Sequence, residues 1–336
     1  MSKRLPPWGW ALVALIVLLI GNALFTPGFA HIEVRDGRLF GSVIDIGNRA
    51  SPTLLLSLGM TLVIGSGGVD LSVGAVMAIA GTFAACLLER PTDSLLSRIN
   101  VQKSVPAIVT LSLFASLVCG AFNGLLVSVF ELQPIVATLL LMVAGRGIAQ
   151  LLSDGQIITF TNPGFAHLGT GHLLGLPMPI WIFLIAWLLV GTLARRTALG
   201  LFVEAAGSNS VAAAYSGVNV RAVKMAVYCI SGICAGMAGL ITAADIQAAD
   251  ANNAGLYLEL DAILAVSVGG TSLMGGRFSL IGTVIGALLM QTVTTTILTR
   301  GIAPEIALIV KAVIVVVVCV MQSTVVQQRF TRRAKA

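Results

Sequence analysis

Charged residues are scarce in this sequence. Of its 336 residues, 10% are charged and 57% are hydrophobic, whereas soluble domains carry about 25% charge. Many of the hydrophobic residues form runs of roughly 20, the length that an α-helix needs to cross a bilayer. Short strands of alternating polarity, which are typical of membrane barrels, do not occur. The composition therefore predicts an all-α polytopic membrane protein.

The sequence also lacks nucleotide-binding and catalytic motifs. No glycine-rich loop ends in Gly-Lys-Ser/Thr, and neither HExxH nor GxSxG occurs. The five cysteines lie within apolar runs, with no CxxC pair and no nearby histidine, which predicts small buried side chains. We therefore expect no catalytic residue, no metal and no cofactor on this chain.

Long apolar runs separated by short polar connections make up most of the sequence. Hydropathy predicts a bundle of about ten transmembrane helices, with interrupted Gly-rich segments, at residues 8–26, 50–66, 71–88, 105–130, 134–152, 179–194, 223–244, 259–274, 280–299 and 303–322. No linker divides the chain, so we expect residues 1–336 to form a single transmembrane domain.

The basic residues predict the orientation of these helices. The net charge of +6 arises at the ends of apolar segments, which indicates topology and not nucleic-acid binding. An excess of basic residues occupies the N-terminal tail, the 195–222 connection and the C-terminal tail. With ten spans, all three lie on the side that the positive-inside rule makes cytoplasmic. Both termini are therefore predicted to be cytoplasmic.

The stretch LVIGSGGVDLSVGAV, residues 62–76, places glycines and a carboxylate inside an apolar region. Gly65, Gly67 and Gly68 would end the second span, and Asp70 would cap a helix that begins at Leu71. A helix broken at membrane depth is tolerated where it faces protein or a water-filled cavity. Asp70 is therefore either a helix cap alone or a cap that also borders a substrate pathway.

A second stretch resembles the first. GGVDLSVG, residues 67–74, and GGTSLMGG, residues 269–276, share the pattern GGxxLxxG, and transporters often contain repeats with interrupted helices near the substrate. Asn123, in the fourth span, would make an interhelical hydrogen bond or a substrate contact. The candidate pathway residues are Gly67, Gly68, Asp70, Ser72, Asn123, Gly269 and Gly270.

Two further features of the sequence predict an interaction: a lysine within an apolar span and a long polar connection. Lys311, within the last predicted span, should pair with an acid or with carbonyl groups, and Glu305 is out of helical phase with it. The 195–222 connection is longer than usual loops and contains FVEAAGSNSVAAAY, which combines helix formers with apolar residues. It is predicted to dock on a partner protein through Phe202, Glu204, Ala205, Ala206 and Gly207.

Three stretches together resemble a known family: GMTLVIGSGGVDLSVGAVMAIAG, LDAILAVSVGGTSLMGG and VKAVIVVVV. They are similar to the permease subunits of bacterial ABC importers for ribose and other monosaccharides. The resemblance covers residues 45–322. AADIQAADANNAGLYLELDAILAV and VRDGRLFGS are most similar to the galactofuranose type.

The resemblance implies a division of labour. A periplasmic sugar-binding protein would deliver the monosaccharide, two permease subunits would form the path across the bacterial inner membrane, and a cytoplasmic ABC ATPase would use the ATP. The second permease would be a paralogous chain. The 195–222 connection would then be the segment that couples this chain to the ATPase, although Glu204-Ala205-Ala206 meets the EAA pattern only in part. The alternatives are a secondary sugar transporter or facilitator, and an ABC permease for a non-sugar solute.

Overall fold

The chain folds almost entirely into helices, as its apolar runs predict. The computed structural model describes residues 6–35, 37–89 and 104–322. The helices within these residues are α1 (Gly9–Phe25), α2 (Ser42–Gly65), α3 (Val73–Glu89), α4 (Val105–Ser128), α5 (Pro134–Ser153), α6 (Pro163–Thr170), α7 (Met178–Arg196), α8 (Leu199–Ser208), α9 (Ser210–Tyr215), α10 (Val220–Ile246), α11 (Leu258–Val268), α12 (Leu280–Thr299) and α13 (Pro304–Gln322).

Short strand pairs connect some of the helices. The strands are β1 (Glu33–Arg35), β2 (Arg38–Phe40), β3 (Ile158–Thr159), β4 (His172–Leu173), β5 (Leu176–Pro177) and β6 (Ala248–Ala249). Strand β1 pairs with β2, β3 with β6, and β4 with β5, each pair antiparallel. They close the loops at one end of the bundle and add little to its core.

Local sequence explains where several helices begin. Proline occupies the first turn of α4, α5, α6 and α7, where a backbone N–H would have no partner in any case. The side chains of Asn209 and Asn219 accept hydrogen bonds from the backbone N–H of Ala212 and Ala222, and so cap α9 and α10. Ser279 caps α12 in the same way.

Helix α10 packs against α2, α3 and α4 and so lies in the centre of the bundle. Small residues make this packing close. A Cβ atom added to Gly232 would overlap the Ser116 carbonyl oxygen on α4, and one added to Gly239 would overlap the Met77 carbonyl oxygen on α3. In lipid, where van der Waals packing drives helix association, such backbone approach holds a bundle together.

The loops define two ends of the bundle. At one end, which we call the hairpin end, the Leu39 N–H donates to the Gly175 carbonyl and the Phe160 N–H donates to the Gln247 carbonyl. At the other, which we call the α8 end, the α2–α3 turn meets α8 and the loop after α11: the Gly276 N–H donates to the Gly65 carbonyl at 3.0 Å.

Five helices among the described residues are long and apolar enough to cross a membrane: α4, α5, α7, α10 and α12. Every one of the ten predicted segments contains a helix, but the count of about ten spans stays a prediction. The predicted extent 259–274 is wrong, because α11 ends at Val268 and Gly270 then turns the chain with φ +85°. The terminal tails used to predict orientation, 1–5 and 323–336, lie outside the described residues.

Candidate functional site

The α2–α3 turn interrupts the helical path where the glycines predicted a break. Helix α2 ends at Gly65, and the Gly68 N–H donates to the Val63 carbonyl at 3.0 Å. Gly67 has φ +82°, a conformation that strains residues with a side chain. A Cβ atom added to Gly68 would lie 2.7 Å from the Tyr228 hydroxyl. The turn therefore needs glycine for conformation at Gly67 and for space at Gly68.

Asp70 lies buried beyond this turn and accepts four hydrogen bonds. Its Oδ1 accepts from the Ser72 hydroxyl at 2.7 Å, the Ser72 N–H at 3.1 Å and Asn123 Nδ2 at 3.3 Å. Its Oδ2 accepts from the Ser231 hydroxyl at 2.8 Å. All four donors are neutral, and together they satisfy both oxygens of the carboxylate without a cation.

These contacts tie the turn to three helices. Asn123 on α4 also donates to the Ser72 hydroxyl at 2.7 Å, and Ser231 belongs to α10. Tyr228, also on α10, donates to the Val69 carbonyl at 3.2 Å, and Thr138 on α5 donates to the same carbonyl at 3.4 Å. We call Asp70, Ser72, Asn123 and Ser231 the Asp70 network. The expected interhelical hydrogen bond of Asn123 is present, and among the described residues its Oδ1 has no partner.

The predicted cap position was wrong by two residues. Helix α3 begins at Val73 and not at Leu71, and the Ser72 carbonyl accepts the first helical hydrogen bond, from Val76. Ser72 therefore occupies the N-cap position. Asp70 lies two residues before the cap and holds it in place, because its carboxylate accepts hydrogen bonds from both the N–H and the hydroxyl of Ser72.

Five glycines meet at the α8 end in what we call the glycine junction: Gly65, Gly67, Gly207, Gly275 and Gly276. A Cβ atom on Gly207 would overlap the Gly65 carbonyl oxygen and lie 2.6 Å from the Gly276 nitrogen. One on Gly275 would lie 2.9 Å from Gly67 Cα. The junction thus brings together the two GGxxLxxG stretches and α8, which the sequence pattern alone does not connect.

Gly269 and Gly270 lie apart from the Asp70 network. A Cβ atom on Gly269 would lie 2.7 Å from the backbone nitrogen of Thr283 in α12. One on Gly270 would lie 2.7 Å from Pro7, just before α1. The structure therefore brings Gly67, Gly68, Asp70, Ser72 and Asn123 together and leaves the other two candidate pathway residues at a separate helix contact.

The residues of α8 divide into two faces. Val203 and Ala206 are fully buried against this chain, and Gly207 belongs to the glycine junction. Glu204 and Ala205 are half-buried, while Phe202 is exposed. Of the residues predicted to dock on a partner, Ala206 and Gly207 thus attach α8 to its own bundle, and Phe202 faces outward.

Helix α9 carries exposed apolar residues as well. Val211 is 63% exposed and Tyr215 is 90% exposed, and on α8 Leu201 is 68% exposed. Tyr215 and Val211 also border a cleft of about 730 Å³ between α9, the start of α10 and the α4–α5 turn. We call Leu201, Phe202, Val211 and Tyr215 the outer α8–α9 face, an apolar surface attached to the rest of the chain through the glycine junction.

Lys311 forms an ion pair with an acidic residue, as its position within an apolar span predicted. Its Nζ lies 2.6 Å from Asp261 Oδ2, and both side chains are at most 16% exposed. The pair joins α13 to α11 across 50 residues of sequence. Sequence reasoning missed Asp261, because helical phase identifies partners only within one helix.

Breaking this ion pair is expected to destabilise the protein strongly. Lys311→Met leaves Asp261 buried without a counter-charge, at a cost of about 3–5 kcal/mol. Lys311→Met/Asp261→Leu should recover most of that loss, which thermal unfolding in detergent measures. Arg49→Met is the control, because the exposed Arg49–Asp45 pair contributes at most about 1 kcal/mol. A double variant no more stable than Lys311→Met would contradict this account.

Tyr228 and Ser231 are the site residues that sequence reasoning missed. They lie three residues apart on α10 and face the same turn. The available signal was a tyrosine and a serine at helical spacing within an otherwise apolar span, the same kind of signal that singled out Asn123.

The fold and the buried polar turn define a class: a polytopic α-helical membrane protein with a buried polar network at the turn between two of its helices. Comparison with known families makes this more specific. Residues 42–319 match the family described as branched-chain amino acid transport system / permease component. The chain belongs to this family of permeases, which is distinct from the ATPases of such systems. No solved structure matches the chain.

Several curated relatives span nearly the whole chain. It is 51% identical over 319 residues to the galactofuranose transporter permease protein of Escherichia coli, covering 95% of this chain and 89% of that one. It is 38% identical to the fructose import permease protein of Bifidobacterium longum, over 94% and 87%. It is 34% identical to the ribose import permease protein of Escherichia coli, over 91% and 90%. The expected resemblance to monosaccharide permeases is confirmed.

Proposed function

We propose that this chain forms the membrane path of an ATP-driven importer for a monosaccharide, with galactofuranose as the first candidate. The observation that carries the proposal is the 51% identity to a galactofuranose permease over 95% of the chain. Similarity to fructose and ribose permeases supports a sugar as the cargo class. The family description names branched-chain amino acids instead, so a ligand-binding assay on the partner binding protein is the direct test of cargo.

The proposal includes three partners. A cytoplasmic ABC ATPase would hydrolyse ATP, since the sequence of this chain has no Gly-Lys-Ser/Thr loop. A periplasmic sugar-binding protein would deliver the substrate at the hairpin end. A second permease, a paralogous chain, would complete the path.

We place ten spans in the inner membrane, with both termini and the α8 end in the cytoplasm. The α8 end carries Arg195, Arg196, Arg221 and Lys224 near the ends of α7 and α10, which the positive-inside rule favours on the cytoplasmic side. In this arrangement α8 and α9 face the only compartment that contains ATP.

In this account the interrupted α2–α3 turn borders the path, and the Asp70 network holds it in one conformation. Transporters place such broken helices beside their substrates. Neutral sugars are recognised through hydrogen bonds, and Asn123 Oδ1, which has no partner among the described residues, is the atom of the network that would accept one. Gly269 and Gly270 would form a second interrupted segment, which packs against α12.

The outer α8–α9 face is the proposed docking surface for the ATPase. Leu201→Glu places a charge at its most exposed α8 position, so we expect the ATPase to be lost from the complex while the bundle remains folded. Ala206→Glu is unsuitable for this purpose, because Ala206 is buried in the bundle.

The measurement is co-purification of the ATPase with tagged permease, alongside thermal unfolding of the permease. Ile157→Glu is the matched control, because Ile157 is similarly exposed at the hairpin end. Retention of the ATPase by Leu201→Glu, or its loss from Ile157→Glu, would rule out this surface as the docking site.

A further inference from the structure

A narrow groove runs between α7 and α12 at the α8 end. It encloses about 190 Å³, and its walls are the apolar side chains of Trp187, Leu188, Leu280 and Ile281. There is free space beside Gly191, because a Cβ atom there would meet only Leu280 Cδ1, at 3.9 Å. The groove is therefore a mainly apolar slot, and Thr192 is the uncharged polar residue that lines it.

Two arginines stand at the end of this slot. Arg195 and Arg196 form the last turn of α7 and border the groove. Both are exposed, and among the described residues neither forms an ion pair. The lining residues of the groove include no acid. A slot that is mainly apolar along its length and doubly positive at the membrane surface matches one kind of molecule: a lipid with an anionic headgroup.

We propose that this groove is a binding site for an anionic phospholipid. The headgroup phosphate pairs with Arg195 and Arg196, and one acyl chain lies in the groove against Trp187. Basic pockets between membrane helices recognise anionic headgroups in this way. Trp187 precedes Arg195 by eight residues, which is about 12 Å along a helix, so it lies at the depth of the acyl chain and below the phosphate.

The site adjoins the start of α8. A Cβ atom on Gly200 would overlap the Ala194 carbonyl oxygen, so α8 packs directly on the last turn of α7. A lipid bound to Arg195 and Arg196 thus stabilises the position of the last turn of α7, on which the start of α8 packs. The proposal depends only on the membrane placement of α7 and α12, and it stands apart from the cargo and the ATPase.

Fluorescence quenching of Trp187 tests the site. The full chain is purified with its other tryptophans replaced (Trp8→Phe, Trp10→Phe and Trp181→Phe) and reconstituted in phosphatidylcholine vesicles. Increasing fractions of dibrominated phosphatidylglycerol or dibrominated phosphatidylcholine, brominated on the acyl chains, are then added. We expect the anionic lipid to bind beside Trp187 roughly five- to tenfold more strongly than the neutral one.

Charge variants separate this site from general attraction to anionic membranes. Arg195→Gln/Arg196→Gln should abolish the preference, whereas Arg221→Gln/Lys224→Gln, at the other basic cluster of the α8 end, should retain it. Gly191→Leu fills the groove and should reduce quenching by both lipids. Equal quenching by the two lipids in the parent protein would overturn the proposal.

Two further outcomes are decisive. If Arg221→Gln/Lys224→Gln loses the preference to the same extent, the groove is not the site. If the two brominated lipids quench Trp187 equally and inorganic phosphate alone changes its fluorescence, the arginines bind free phosphate and not a lipid. No ATPase, binding protein or sugar is present, so failure of the transport proposal leaves this test unaffected.

Discussion

Asp70→Leu is expected to destabilise the protein severely and to abolish sugar uptake. Leucine removes the acceptor for four hydrogen bonds and leaves the Ser72 and Ser231 donors buried without partners, while Asn123 keeps only its bond to the Ser72 hydroxyl. Hydrogen bonds between membrane helices average only about 0.6 kcal/mol each, but each orphaned buried group costs about 1–3 kcal/mol. We expect a total loss of about 3 kcal/mol or more, measured by thermal unfolding in detergent.

Asp70→Asn is the matched variant and should be far milder. The amide oxygen can still accept from both Ser72 donors, and the amide nitrogen can donate to the Ser231 hydroxyl, which serves as donor or acceptor. We expect a loss of about 1 kcal/mol or less, together with measurable uptake. If Asp70→Asn is as inactive as Asp70→Leu while remaining folded, the negative charge of Asp70 is itself needed for uptake. The network would then do more than hold the α2–α3 turn in position.

Gly207→Ala is expected to disable transport with the smallest possible change in side chain. The new methyl group would overlap the Gly65 carbonyl oxygen and crowd the Gly276 nitrogen. These two atoms form the hydrogen bond that closes the glycine junction. Backbone atoms cannot move aside as a flexible side chain can, and overpacking of this kind costs about 1–3 kcal/mol. Helix α8 must then shift, and we expect uptake driven by the ATPase to fall roughly tenfold or more.

Gly147→Ala is the control for Gly207→Ala. Gly147 lies on α5, and a Cβ atom there would have no neighbour within 4 Å. Uptake and thermal stability should both stay at the level of the parent protein. Should Gly207→Ala transport normally, the junction tolerates displacement of α8, and its proposed role in attaching the outer α8–α9 face to the bundle is wrong.

The sequence was most informative where glycine or proline restricts the backbone. The break after α2 followed from Gly67 and Gly68, because residues with positive φ and no room for a side chain leave few alternatives. The start of α5 at Pro134 was placed to the residue, and the proline-marked starts of α7 and α13 were placed within one residue. The resemblance to permeases rested on the same glycine-rich stretches.

The sequence was least informative about contacts between distant segments. Asp261 and Lys311 are 50 residues apart, and nothing local links them. The burial of Ala206 was unpredictable for a related reason: alanine suits both faces of a helix, and only the nearby glycine junction decides which face turns inward. The start of α3 was predicted two residues too early, because Asp70 and Ser72 are both good capping residues and Ser72 is the one that occupies the cap.

Uptake of a labelled monosaccharide into proteoliposomes tests the central claim most directly. Vesicles are prepared with this permease, its permease partner and the binding protein, with or without the ABC ATPase. The account predicts accumulation against a gradient only when the ATPase and ATP are both present, and no sugar uptake by this chain alone. Uptake of the same sugar by the permease without an ATPase would contradict the account and would identify a secondary transporter or facilitator.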